Sequence, residues 1–263
     1  MQGEHQREVV GLIPAAGEAT RISPLPCSKE LYPIGFRSVD HRKSARPKVA
    51  AHYLLEKMRL AGITQVYIVL RKGKWDIPNY FGDGSMINVN LAYLIMRLPF
   101  GTAYSLDQAY PFLPDAIVAF GFPDIVFSPA DAYKKLLRRQ IRTSADVVLG
   151  LFPAREPSKV DVVEIDRNGQ VGSLMIKPRR ARSAYTWLIA VWSPQFSRFM
   201  HTYLRSAVSQ AIPATSFTEM SVGHVFRAAI RADLYFESVA FDDDSWIDIG
   251  TPEDLVKAVR RNL

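Results

Sequence analysis

Val9-Val10-Gly11-Leu12-Ile13-Pro14-Ala15-Ala16-Gly17-Glu18-Ala19-Thr20-Arg21, followed by Ser28-Lys29-Glu30-Leu31-Tyr32-Pro33-Ile34-Gly35, decides how the rest of this chain is read. Val9 to Ile13 is apolar and has the length and branching of a buried parallel strand. Ala15, Ala16 and Gly17 carry almost no side chain, so a ligand can approach the backbone closely. Arg21 offers a planar fork that suits phosphate oxygens, and Lys29 offers a point charge. A strand that ends this way presents backbone N–H groups and two cations to a phosphate chain. Without its neighbours the same stretch is also a tight strand-to-helix turn with surface cations.

Outward from this opening, strands and helices alternate. An irregular basic stretch at 36–48 precedes a helix over 49–60, which stops at Ala61-Gly62. Strands are expected at 65–70, 89–93, 116–120, 146–152, 161–165 and 171–175, the last two joined by an Asp166-Arg167-Asn168-Gly169 turn. Helices are expected at 102–109 and 129–139, and a short helix or turn at 75–80 before the Gly82-Asp83-Gly84 loop. Such alternation argues an α/β fold with a mainly parallel sheet. No internal repeat and no low-complexity segment is found.

The chain has 263 residues, 48% of them hydrophobic, enough for one large α/β domain or two small ones. Its net charge of +7 suits anionic substrates. The basic residues are dispersed except at Arg138-Arg139 and 177–182, and no nucleic-acid module is present, so nucleic acid is not expected as a partner. The one cysteine, Cys27, can form no intrachain disulfide and reads as incidental. No stretch has the length and apolarity of a membrane span or a leader, which points to the cytoplasm.

Five separated blocks give the chain a resemblance. The opening is similar to L-A-x-G-x-G-T-R-L-x-P and S-K-x-L-x-P-I of the sugar-1-phosphate nucleotidyltransferases, matching at Gly17, Thr20, Arg21, Pro24, Ser28, Lys29, Leu31, Pro33 and Ile34. Gly121-Phe122-Pro123-Asp124 stands where that family has G-D, and Trp246-Ile247-Asp248-Ile249-Gly250-Thr251 resembles its W-x-D-x-G-T. Ile176-Lys177-Pro178 resembles E-K-P, and Pro99-Phe100-Gly101-Thr102-Ala103 resembles P-x-G-x-A. From local sequence alone, Asp124 also reads as a turn or N-cap residue, Glu164 as an outward strand residue, and Thr251-Pro252 as the start of a last helix over 252–261.

The resemblance implies a Rossmann-like three-layer sandwich of the nucleotide-diphospho-sugar transferase type. A single domain would span 1–263, with a nucleotide-binding half at 8–150 and a sugar-phosphate half at 151–263. It implies Mg²⁺ held by Asp124 and Asp248, nucleotide contacts from Ala15, Ala16, Gly17 and Gly101, and catalytic roles for Arg21, Lys29 and Lys177. Asp161, Glu164 and Lys177 would meet the acceptor. A phosphate oxygen of the acceptor would attack the α-phosphorus of dTTP, UTP or CTP in line, Arg21 steadying the departing pyrophosphate. Homo-oligomers are common in the family; Trp187, Trp192 and Tyr203 are candidates for an interface or for the core.

Four departures bear on function. Ala19 replaces the second glycine of G-x-G, and its β-carbon is accommodated where φ is negative. Met96 stands where a base-reading glutamine is expected, and Ile176 replaces the glutamate of E-K-P, while Asp161 takes the place of a sugar-touching glycine. Those changes keep two alternatives open: a cytidylyltransferase for a non-sugar phosphate or phosphonate, and a non-catalytic nucleotide-binding homologue.

Overall fold

The computed structural model describes residues 7–38, 45–96, 101–181, 183–211, 219–242 and 246–260. The chain runs β1 (Val9–Pro14), β2 (Pro33–Ser38), β3 (Ala45–Val49), α1 (Ala50–Leu60), β4 (Gln65–Arg71), α2 (Asp76–Phe81), β5 (Asn90–Met96), α3 (Thr102–Asp107), β6 (Ile117–Gly121) and β7 (Ile125–Phe127). It continues through α4 (Ala132–Thr143), β8 (Val147–Pro153), β9 (Val162–Ile165), β10 (Val171–Met175), β11 (Tyr185–Trp192), α5 (Pro194–Ala211), α6 (Val222–Arg231), β12 (Phe236–Ala240), β13 (Trp246–Asp248) and α7 (Pro252–Arg260).

Among the described residues, nine strands form one sheet in the order β10-β9-β11-β6-β1-β4-β5, with β8 and β12 continuing from β11. β1 lies between β4 and β6 and is parallel to both, β5 is parallel to β4, and β12 is parallel to β8. β11 runs antiparallel to β6 and β8, which makes the sheet mixed but mostly parallel. The alternation of β1 explains the layers. Val10 and Leu12 pack with Ala103 and Leu106 of α3, Phe196 of α5 and Phe226 of α6. Ile13 packs on the opposite face with Leu54 and Leu55 of α1, Ile77 of α2 and Tyr133 of α4. Helices therefore cover both faces, and each buried Leu, Ile, Val or Phe contributes about 1.5–3 kcal/mol as an upper estimate.

Most expected elements are present with shifted ends. The α1 stop is as read: Gly62 follows with φ +83. The Asp166 turn is closed by the Gly169 N–H on the Asp166 carbonyl at 3.2 Å and by the Asp166 N–H on the Gln170 carbonyl at 2.9 Å. The helix expected at 129–139 starts later and runs to Thr143, where Ser144 ends it in the left-handed region at φ 55. One expectation is corrected, and one unassigned run is filled. The stretch at 36–48 is not simply irregular, because β2 and β3 pair antiparallel, Phe36 opposite Pro47 and Arg37 opposite Arg46; residues 39–44 lie outside the described residues. Polar residues at alternate and consecutive positions hide that hairpin from any period-2 test. The run 185–240, not assigned from sequence, supplies β11, α5, α6 and β12; β11 is apolar but for Thr186 because both its faces are buried, so it carries no alternation.

Trp187 and Trp192 belong to the core, and Tyr203 packs against it with its ring stacked on Phe199. No helix among the described residues is long and apolar enough to cross a membrane.

Candidate active site

The opening turn leaves β1 at the carboxyl edge of the parallel strands, where open α/β sheets bind ligands. Ala15 and Ala16 are buried, and the Ala15 N–H donates to the carbonyl of Val69 in β4 at 2.8 Å, so this amide serves the sheet rather than a ligand. Gly17 is exposed, and a methyl group built there would meet nothing within 4 Å, which leaves its backbone open. Ala19 has φ +56. The negative φ that would accommodate its β-carbon is not adopted: the alanine holds the left-handed conformation that glycine adopts freely. Its carbonyl accepts from the N–H groups of Ile22 and Ser23 and from the Ser23 hydroxyl, which fixes the turn that carries Arg21.

Asp124 lies three residues beyond the end of β6 and is almost fully buried. β13 returns from the far end of the chain to pair antiparallel with β7, Asp248 opposite Ile125. The Ile249 N–H donates to the Asp124 carbonyl at 3.0 Å, and the Trp246 indole N–H to the Pro153 carbonyl at 3.0 Å. These bonds bring the two aspartates together. Burial, and then the charge of Asp124, push the Asp248 carboxyl up to about 6, against the pull of Lys29 and Arg21. The Asp248 carboxylate also accepts the Gly250 N–H at 2.8 Å. A methyl group on Gly250 would lie 2.8 Å from Nη2 of Arg21 and 2.8 Å from Oδ1 of Asp248, so the guanidinium and the carboxylate crowd the same turn. Thr251 opens α7 as read, its hydroxyl accepting the Asp254 N–H at 3.2 Å.

Lys29 reaches the same place and forms an ion pair with Asp124. Burial alone lowers its pKa, but the charge and hydrogen bond of Asp124 outweigh that and raise it. Three groups missed in the sequence, Asp76, Glu30 and Lys74, hold the loop that carries this lysine. The Asp76 carboxylate accepts the Ser28 N–H at 2.6 Å and the Ser28 hydroxyl at 2.8 Å. Glu30 is buried and accepts two bonds from the buried Lys74 ammonium at 2.8 and 2.9 Å. Lys74 and Asp76 lie more than forty positions downstream, and no local signal connects them to the loop. Burial, then the charges of Asp76 and Glu30, raise the Cys27 thiol, consistent with an incidental cysteine.

A second group lies at the start of β9. Asp161 is partly buried, and burial raises its carboxyl despite the neighbouring Trp187 indole and the charges of Lys177 and His224. Its Oδ2 sits 2.1 Å from where a methyl group on Gly223 would be, and the Ile176 side chain sits 3.0 Å from the same point, so Asp161 and Ile176 pack over the first turn of α6. Lys177 is exposed with φ +40. Glu164 is held across the hairpin by the Ser173 hydroxyl at 2.7 Å, one position along β9 from the core residue Val163 and therefore on the opposite face. Gly101 has φ +104, and a methyl group there would come within 2.5 Å of the Met220 carbonyl oxygen; the close approach that requires glycine is to this backbone. Pro99 and Phe100 lie outside the described residues. Met96 is buried and accepts the Ser105 hydroxyl on its sulfur at 3.1 Å, so it is a core residue. Of the Asp242-Asp243-Asp244 run, Asp242 is described and accepts the Tyr185 hydroxyl at 2.8 Å. No group of three or more His, Cys, Asp or Glu placed to hold a metal occurs among the described residues.

Comparison with known proteins bears on the family and the fold. The family described as nucleotidyl transferase matches residues 10–263. A glucose-1-phosphate thymidylyltransferase of Streptomyces antibioticus is 25% identical over 253 residues, covering 96% of this chain and 65% of that protein. The Mycolicibacterium smegmatis protein of the same name is 27% identical, covering 94% and 80%. A UTP–glucose-1-phosphate uridylyltransferase of Synechocystis is 25% identical, covering 95% of this chain and 62% of its own length. The solved structure of a UDP-glucose pyrophosphorylase complexed with UDP-glucose superposes with a TM-score of 0.76 at 17% identity, covering 97% of this chain and 98% of that one, which establishes the shared fold. The chain belongs to the nucleotidyl transferase family.

Proposed function

We propose that the protein transfers the nucleoside monophosphate of dTTP, UTP or CTP to a sugar-1-phosphate, giving an NDP-sugar and pyrophosphate. The observation that carries this reading is the meeting of Asp124 and Asp248 with Lys29 and Arg21 at the carboxyl edge of the sheet. Relatives named as thymidylyl- and uridylyltransferases support it. The cytoplasm is the compartment of this proposal.

The donor set fits Mg²⁺, a hard cation that takes one or two carboxylates and completes its shell with water and phosphate oxygens. Asp124 and Asp248 would hold it, and burial of two like charges side by side is the arrangement a dication relieves. When bound it would neutralise phosphate charge. The chain's own groups do the rest. Arg21 grips the pyrophosphate that leaves, with its fork set by the left-handed turn at Ala19. Lys29 orients the triphosphate, and Lys177 holds the acceptor phosphate, with Asp161 and Glu164 as partners for acceptor hydroxyls. No general base is required, because a phosphate monoester is already ionised near pH 7.

Asp161 and Ile176 favour a second reading, in which the acceptor has a different hydroxyl pattern or no sugar ring. A carboxylate stands over α6 where the family places a glycine, and an isoleucine stands in place of the glutamate. A site that reads hydroxyls loses much of its discrimination when the partner group is absent.

Pyrophosphate release with Mg²⁺ separates these readings when nucleoside triphosphates are crossed with sugar-1-phosphates, phosphocholine and a phosphonate. Release that needs both substrates and is lost in Asp124→Ala and Asp248→Ala supports transfer, and the productive pair names the acceptor. Nucleotide binding without turnover for any pair would count against catalysis.

A further inference from the structure

We infer that Lys74 is a positioning residue for Lys29: by occupying the Glu30 carboxylate, it keeps that carboxylate from drawing the Lys29 ammonium away from Asp124. This rests on the reading of Lys29 as a group that acts in the transfer.

Lys29 and Glu30 are consecutive residues of one short 3₁₀ turn, Lys29–Leu31. Their side chains diverge. Lys29 reaches across to Asp124, while Glu30 turns inward to Lys74 on the β4–α2 connection. The Glu30 side chain is 2% exposed and that of Lys74 8%, so neither charge is left to water. Glu30 still acts on its surroundings: its charge is felt by Lys29, and the charge of Asp124 is felt by Glu30. Lys29 thus stands between two carboxylates, and the one that Lys74 does not hold receives it.

Removing one member of a buried ion pair leaves an uncompensated charge that seeks the next counter-ion. For Glu30 that counter-ion is Lys29, its chain neighbour. The loop itself would stay in place, because the two bonds from Ser28 to Asp76 tie it independently to α2. Loss of Lys74 is therefore a redistribution of side-chain partners, and its effect falls on Lys29.

The test uses the full chain with Lys74→Met, Glu30→Gln and the double variant. Melting temperature, crystal structures, and kcat and KM for the productive substrate pair are measured well below the melting temperature. In Lys74→Met, Lys29 is expected on Glu30, with kcat lowered by at least about tenfold and KM changed by less than about threefold. Glu30→Gln/Lys74→Met, which removes the competing charge, is expected to return Lys29 to Asp124 and recover kcat to within about threefold of the parent. If Lys74→Met does not fold, Glu30→Gln decides: with no competing carboxylate its kcat stays within about threefold, and a tenfold loss overturns the inference. Lys29 remaining on Asp124 in Lys74→Met, unchanged kcat in that folded variant, or a double variant that fails to recover would also overturn it. A parent protein without turnover for any pair would count against the proposed transfer, while the partner of Lys29 in the crystal structures would still decide the positioning role.

Discussion

The N–H of Ile249 donates to the carbonyl oxygen of Asp124 at 3.0 Å, and this single backbone bond at the end of the β7–β13 pairing places the Asp248 side chain beside that of Asp124. Two carboxylates, one from the middle of the chain and one from near its far end, are thereby buried together. Asp124→Asn and Asp248→Asn are each expected to lower kcat/KM by about 100-fold or more, the scale of losing one charge-stabilising group in a closed site. Asp248→Asn is also expected to melt at or above the parent temperature, because it removes a buried like-charge contact. Steady-state kinetics and a thermal melt check both; a clear loss of stability in Asp248→Asn would contradict the repulsion.

Ala19 sits at φ +56 and pays for the turn that holds Arg21. A left-handed alanine costs about 1–2 kcal/mol, and glycine adds about 0.5–1 kcal/mol of unfolded-chain entropy. Ala19→Gly is therefore expected to stabilise the protein by up to about 1 kcal/mol, a rise in melting temperature of about 2 °C. Differential scanning calorimetry would measure it.

Gly250 leaves room for the guanidinium of Arg21, since a methyl group there would lie 2.8 Å from Nη2. In Gly250→Ala the flexible arginine must move while the fold is kept. An activity loss of about tenfold or more with a melting temperature within a few degrees of the parent is expected. A variant with full activity would show that Arg21 works from another position.

His52 is fully buried on α1, accepts the Val49 N–H on Nδ1 at 3.3 Å, and has its ring edge-on to Phe81. Burial, then the charges of Arg37 and Lys48, lower its pKa from 6.5 to about 4. The folded value lies below the unfolded one, so the unfolded chain takes up the proton first as pH falls. The stability contributed by neutral His52 is complete above pH 6.5 and is lost progressively toward pH 4. Urea midpoints across that window should fall more steeply for the parent than for His52→Gln, and parallel slopes would contradict this assignment.

Local sequence was enough for the strand ending in Ala15-Ala16-Gly17, the helix stop at Gly62, the Asp166 turn and the Thr251 cap, because each rests on the conformational preferences of a few adjacent residues. The mainly parallel α/β fold was equally legible from the alternation of strands and helices, while the three-layer arrangement came from the resemblance. The resemblance in five blocks placed Arg21, Lys29, Asp124, Lys177 and Asp248 in order along the chain. It was the tertiary structure that joined Arg21, Lys29, Asp124 and Asp248, and that set Lys177 beside Asp161 in a second group. The β7–β13 pairing makes neighbours of Asp124 and Asp248, and the β4–α2 connection supplies Lys74 and Asp76 to hold the Lys29 loop. It also showed that Ala15 spends its amide on Val69, that Gly101 is small for the sake of Met220, and that Ala19 is left-handed. The reason is physical: propensities and caps act over three or four residues, whereas burial of charge, strand pairing and close backbone approach depend on groups the chain brings together only by folding.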